Sequence, residues 1–166
     1  MSDIMWNDPP YKFGDWKNYA EHNDKWIKGF FGDYRFLSNF WPCFYPISYN
    51  GFEFHYVENA FMAAKSLDED DQKKFIDLKP AEAKKLGRTI KLRDDWETVK
   101  FDFMFWFNLQ KFNENSGLKE KLLATGDRYL EETNHWGDKI WGYDVKTNAG
   151  ENNLGKILMR VRSLLK

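Results

Sequence analysis

Residues 96–112 limit the possible folds most. Trp96, Val99, Phe103, Trp106, Phe107 and Leu109 spread apolar surface around much of one helical stretch. A helix that is apolar nearly all round has to be enclosed by other elements. The sequence therefore predicts a central helix running to about Phe112, opened by a capping arrangement with Asp94 as N-cap and Glu97 at N3. Other elements must cover it. Val57, Ala60, Phe61, Ala64 and Leu67 recur at the spacing of an amphipathic helix. Pro80 followed by "AEAKKLG" predicts a helix that begins at the proline and stops at Gly87. Ser116 caps a shorter helix with Leu118, Leu122 and Leu123, closed by Gly126. The last helix spans about 152–165, with Leu154, Ile157, Leu158, Val161, Leu164 and Leu165 at helical spacing.

Ahead of these helices, Asn50-Gly51 separates two runs of aromatic and β-branched residues, which predicts a tight hairpin turn. Strands over roughly 43–49 and 52–56 flank it. Residues 68–74, "DEDDQKK", read as a solvated charge run. Residues 1–28, polar and aromatic with a Pro-Pro pair at 9–10, read as an N-terminal extension, and residues 29–166 as one domain. A chain of 166 residues suits a single core. The expected fold class is mainly α: one helical domain with a small β-hairpin in its N-terminal third.

Twenty-five Lys and Arg against 26 Asp and Glu leave a net charge of −1. That argues against a strongly basic nucleic-acid binder and leaves room for a local basic patch. Cys43, the only cysteine, excludes an intrachain disulfide and fits a reducing compartment. The N-terminus lacks a basic n-region and an apolar h-region, and no window approaches a membrane span. A soluble, cytoplasmic protein without membrane contact is expected. His22, His55 and His135 lack ligand spacing, and no phosphate-binding or dinucleotide fingerprint appears. The expectation is no metal and no cofactor. Eight Trp and 15 Phe exceed what a core of this size needs. Most should pack in the core, while some can line a pocket for a flat ligand.

Chemistry concentrates at a few positions. Glu58 sits near the start of an apolar helix, and Lys65 follows one heptad later on the same stripe as Met62. Two turns separate them, so they do not pair directly, and a third partner fits between. Glu58 is either a solvated first-turn glutamate or a partly buried carboxylate with an elevated pKa for acid–base work. Asp138, in "HWGDKIWG" beside Trp136 and Trp141, either holds an Asx-turn or supplies a second carboxylate from a Gly-flanked loop. Cleavage of a glycosidic bond commonly uses two carboxylates and needs no metal. Trp96 packs in the core or faces a ligand at the helix start. Arg88 and Arg93 are surface arginines or, with Lys65, a phosphate clamp.

The motifs "FLSNFWP", "GFEFHYVENAFMAAK", "AKKLGR", "LRDDWETVK", "LLATGD", "GDKIWG" and "NNLGKILMRVR" occur in that order. In this the chain resembles the NADAR family, also called YbiA-like, over roughly residues 30–165. The resemblance implies a mostly helical fold and a metal-independent N-glycosidase. Its bond would be the C1′–N bond of a ribose bearing a 5′-phosphate group. Two substrate classes follow: ADP-ribose attached to a guanine base of nucleic acid, or a ribosylamino-pyrimidine phosphate of the riboflavin pathway, which releases ribose 5-phosphate. The alternative is a non-catalytic module that binds ADP-ribose, NAD or a nucleotide.

Carried over residue by residue, the resemblance places the family's motif Glu on Glu58, its Trp on Trp96, its Asp on Asp138 and its Lys on Lys65. Glu58 is then expected to activate water, and Asp138 to contact the sugar or assist the leaving group. Trp96 would wall the base. Lys65, Arg88 and Arg93 would hold phosphate, and Trp141 would line the substrate site. Ser38 and Asn39, in the turn of "FLSNF", either bond ribose hydroxyls or cap that turn. The N-terminal arm lies outside the family core. The loop "GYDVKTNAGENN" is longer than in compact members, which suits a larger substrate.

Overall fold

A computed structural model describes residues 19–166. Residues 1–18, most of the expected extension, lie outside the described residues. The element order is β1 (Glu21–His22), β2 (Trp26–Lys28), a 3-10 helix at Gly32–Leu37, β3 (Ile47–Tyr49), β4 (Phe52–Phe54), α1 (Val57–Ala63), α2 (Glu69–Lys73), α3 (Pro80–Leu86), α4 (Trp96–Glu114), α5 (Ser116–Ala124), β5 (Tyr129–Glu131), β6 (Thr133–Asn134), β7 (Tyr143–Asp144) and α6 (Asn153–Leu165). These elements fall into two units. One ends at Ser38 and resumes over Asp127–Met159; the other comprises Asn39–Gly126 and Arg160–Lys166.

In the second unit, Asn50 and Gly51 adopt φ of 50° and 80°. A two-residue turn of that hand matches the twist of paired strands, and β3 and β4 pair antiparallel across it, Ile47 opposite Phe54 and Tyr49 opposite Phe52. β3 starts only after Pro46, which has no N–H to give a ladder. The chain then enters α1, whose seven residues are all buried. α1 packs against α2, α3, α4, β3 and β4.

The most enclosed helix is therefore α1. The 19 residues of α4 extend about 28 Å at 1.5 Å per residue, longer than α1 can cover. Trp106, read from the sequence as part of the central apolar surface, is 56% exposed. Leu67 also leaves its predicted stripe and is 69% exposed, because α1 stops at Ala63. The charge run beyond it is not all coil. Asp68 accepts the N–H of Asp70 at 2.8 Å and caps α2.

In the first unit, β2 pairs antiparallel with β1 and parallel with β5. Ile27 and Leu130, opposite each other, are both buried. Residues 21–28, read from the sequence as part of an irregular arm, thus supply two strands of a three-stranded sheet. β6 and β7 form a separate short parallel pair. No helix among the described residues is long and apolar enough to cross a membrane.

Candidate functional site

α1 begins without a side-chain cap: Tyr56, its N-cap, makes no such bond. The backbone of the "FLSNF" turn does the work instead, and the carbonyl of Asn39 accepts the Glu58 N–H at 3.2 Å. Asn39 is itself buried. Its Nδ2 donates to Met104 Sδ at 3.2 Å, and its Oδ1 accepts from Asn108 Nδ2 at 3.3 Å. The Asn39 amide is thus engaged by α4. Ser38, whose N–H donates to the Arg35 carbonyl at 3.0 Å, belongs to the other unit.

Glu58 is 7% exposed, so it is not a solvated first-turn glutamate. Lys65 lies half-buried two residues past the end of α1, and its Nζ donates to the Gly87 carbonyl at 3.3 Å. Burial pulls the Lys65 ammonium below the ordinary lysine pKa. The charge of Glu58 opposes that shift, while Arg88 and Lys84 add to it. Glu58 and Arg88 thus both act on Lys65, which lies beyond the end of α1.

Gly87 makes the approach possible. Its φ is −61°, an ordinary right-handed value, so backbone freedom is not its purpose. A Cβ there would lie 2.3 Å from Met62 Sδ. Its lack of a side chain lets the end of α3 close on α1 and bring its carbonyl to Lys65.

Trp96 opens α4 and is 5% exposed. Its ring lies 4.9 Å from Phe61 on α1 and stacks 6.3 Å from Phe103. Arg93 is bound from several sides. Its Nε and a terminal nitrogen donate to the two Asp95 oxygens at 2.5 and 3.0 Å, and the guanidinium sits 5.3 Å over Phe103. The predicted capping by Asp94 does not form. Asp95 is the N-cap and makes no side-chain cap bond, its carboxylate being held by Arg93. Arg88 is exposed immediately beyond Gly87.

Asp138 belongs to the first unit. Its Oδ1 accepts the N–H groups of Ile140 and Trp141 at 3.2 and 2.9 Å, which is the Asx-turn geometry. Asn134 grips the same residue from both ends. It accepts the Asp138 N–H at 3.1 Å and donates to the Asp138 carbonyl at 2.8 Å. Asp144 accepts the Gly137 N–H at 3.3 Å and two bonds from Thr147. Trp141, half-buried, passes its carbonyl to the Leu154 N–H at 3.0 Å. Sequence reasoning missed Asn134 and Asp144 as buried anchors of this loop. The Asn, Asp and Gly content signalled turns but not which side chains face inward. Among the described residues, no three His, Cys, Asp or Glu side chains are grouped to hold a metal.

The family model for the NADAR domain matches residues 23–166. A riboflavin biosynthesis protein of Vibrio vulnificus is 37% identical over 133 residues, a match covering 78% of this chain and 35% of that protein. The chain thus spans about a third of that relative's length. The N-glycosidase YbiA of Escherichia coli is 35% identical over 136 residues, covering 80% of this chain and 82% of that one. The NMR structure of the Escherichia coli protein YbiA matches with a TM-score of 0.73 at 31% identity, over 89% of this chain and 88% of that chain.

Proposed function

The chain belongs to the NADAR family and has a YbiA-like fold, and from that premise we propose that it is an N-glycosidase, a hydrolase of the C1′–N bond of a phosphorylated ribose N-glycoside. The names of its relatives support the reaction class. The substrate class is ADP-ribose on a guanine base or a ribosylamino-pyrimidine phosphate. The observation that carries the reading is a buried carboxylate, Glu58, whose charge acts on a half-buried lysine seven residues on.

The C1′–N bond breaks with its electron pair going to nitrogen, and positive charge develops across C1′ and the ring oxygen. Glu58 faces that charge and takes a proton from water as the water oxygen bonds to C1′. The departing nitrogen gains a proton, so one water is consumed, its hydroxyl ending on C1′ and its proton balanced by the one on nitrogen. Lys65 and Arg88 hold the phosphate end. The resemblance gives Asp138 a sugar-contact or leaving-group role; its Oδ1 is occupied by two backbone N–H groups, which leaves Oδ2 for any such contact. Trp96 walls the base from the edge of its aromatic cluster.

The test is a product assay by mass spectrometry on both substrate classes, with Glu58→Gln as control. Ribose 5-phosphate from the pyrimidine substrate, or unmodified guanine plus ADP-ribose from the second, supports the reading and selects the substrate. Folded protein that binds ADP-ribose calorimetrically yet releases no product from either would leave a non-catalytic binding module.

A further inference from the structure

The last turn of α3 carries a cation beyond the two assigned to phosphate. Lys84 stands four residues before Arg88, and helical bonding continues past α3: the Gly87 N–H reaches the Ala83 carbonyl at 2.8 Å and the Arg88 N–H the Lys85 carbonyl at 3.3 Å. The second bond spans three residues, so the helix tightens into a turn that sets Arg88 directly beside the Gly87 carbonyl. The Lys84 Nζ lies 5.9 Å over the Phe40 ring. Phe40 directly follows Asn39, whose carbonyl holds the Glu58 N–H. Lys65 arrives at the same helix end through its bond to the Gly87 carbonyl. The charges of both Arg88 and Lys84 act on Lys65.

Three cations at one helix end repel one another, and nothing among the described residues pairs them. Lys73, Lys74, Arg93 and Lys100 each have a carboxylate within ion-pair distance; Lys65, Lys84 and Arg88 have none there. Glu58 is the carboxylate whose charge reaches Lys65. Three positive groups against that one leave two positive charges, the complement of a dianion.

We infer that Lys65, Lys84 and Arg88 form a cradle for a phosphate dianion, with Lys84 rather than Arg93 as its third cation. Arg93 is held by both oxygens of Asp95 and lies over the Phe103 ring. The two lysines act as movable point charges, and the arginine supplies a fork of donors. The ligand chemistry, a phosphate monoester or a diphosphate linkage, rests on the function proposed above. The cradle itself does not.

The test measures ribose 5-phosphate and ADP-ribose binding to the full chain by calorimetry at low salt. Lys84→Met is expected to weaken the tighter ligand about tenfold or more, the scale of one charge-assisted hydrogen bond. Lys84→Arg should restore most of it, and Lys85→Met, on the exposed neighbouring residue, should change nothing. The ligand-free melting temperature of Lys84→Met should hold or rise, since a repulsion is removed; a structural lysine would show a fall. The two ligands separate by pH. A phosphate monoester gains its second charge near pH 6, so ribose 5-phosphate should bind more tightly as pH rises through about 6. The diphosphate of ADP-ribose is already ionised and should show no such rise. Unchanged affinity in folded Lys84→Met, an equal loss in Lys85→Met, or no binding of either ligand to the natural chain would overturn the cradle. Lys84-dependent binding without any glycosidase product would keep the cradle and sink the proposed function.

Discussion

Glu58 and Lys65 sit on the same short helix region yet meet water differently, and each difference can be measured. Glu58 is buried and its backbone is tied to Asn39, so Glu58→Gln replaces it with a side chain of nearly the same shape. The variant is expected to keep its circular dichroism and melting temperature and to lose about 10²- to 10⁴-fold in kcat, the usual contribution of a positioned base. Normal turnover in the folded variant would remove Glu58 from the mechanism. For Lys65, burial lowers the folded pKa, with Arg88 and Lys84 adding to that and Glu58 opposing it. In the proposed cradle the charged form is the one that would bind phosphate, and it is lost as pH rises through the lowered value. Affinity for ribose 5-phosphate should therefore decline at a pH below the ordinary lysine range near 10.4. Lys65→Arg should move that decline upward, because a guanidinium stays protonated. A titration of Kd against pH that is flat up to the ordinary lysine range would count against a phosphate-bound Lys65. The helix that carries Glu58 was legible in the sequence because its apolar residues recur at helical spacing, although it ends at Ala63, before Lys65. The engagement of Arg93 was not, since Asp94 and Asp95 are equivalent in composition and only the local backbone decides which one meets the guanidinium.

At the scale of elements, two glycines on helices make opposite predictions. Gly117 lies in the first turns of α5, and a Cβ added there would meet nothing within 4 Å. Gly117→Ala should stabilise by roughly half to one kcal/mol through helix propensity. Gly155 lies near the start of α6, where a Cβ would stand 2.1 Å from the Leu130 carbonyl oxygen on β5. That carbonyl is backbone and cannot swing away, so Gly155→Ala should destabilise by about 1–3 kcal/mol, the range for forced overpacking. Urea unfolding of both variants checks the pair, and equal midpoints would contradict the packing described for α6 on β5. The sequence marks the ends of α3 clearly, because Pro80 and Gly87 punctuate it locally. It does not mark β1 and β2. The pairing of β2 with β5 joins residues about 100 apart, and strands of two or three residues carry too little alternation to register. Nor does it show that Gly87 is a spacer for Met62, which depends on how two helices meet.

For the whole molecule, charge distribution bears on what it recognises. The net charge is −1, so no long-range field draws a polyanion to this chain. Several surface cations are also matched by carboxylates, as Lys74 is by Asp71 and Arg93 by Asp95. The proposed cradle makes attraction for phosphate local, resting on Lys65, Lys84 and Arg88. Binding to unmodified single-stranded nucleic acid should follow from these few contacts alone. Each neutralised phosphate of a single strand contributes about −0.7 to the slope of log K against log salt. Three cations therefore predict a slope of about −2 and weak affinity, whereas six or more contacts would approach −4 or steeper. Fluorescence anisotropy with an unmodified oligonucleotide between about 50 and 200 mM salt measures that slope. The companion expectation concerns kcat/KM. If the substrate is ADP-ribose on guanine, the modified nucleotide alone should be cleaved about as efficiently as the same group within an oligonucleotide, because the proposed cradle offers only three cations and a flanking strand adds few contacts. A slope of −4 or beyond, together with a large preference for the longer substrate, would show that recognition extends over a nucleic-acid track rather than resting on one phosphate-bearing ribose.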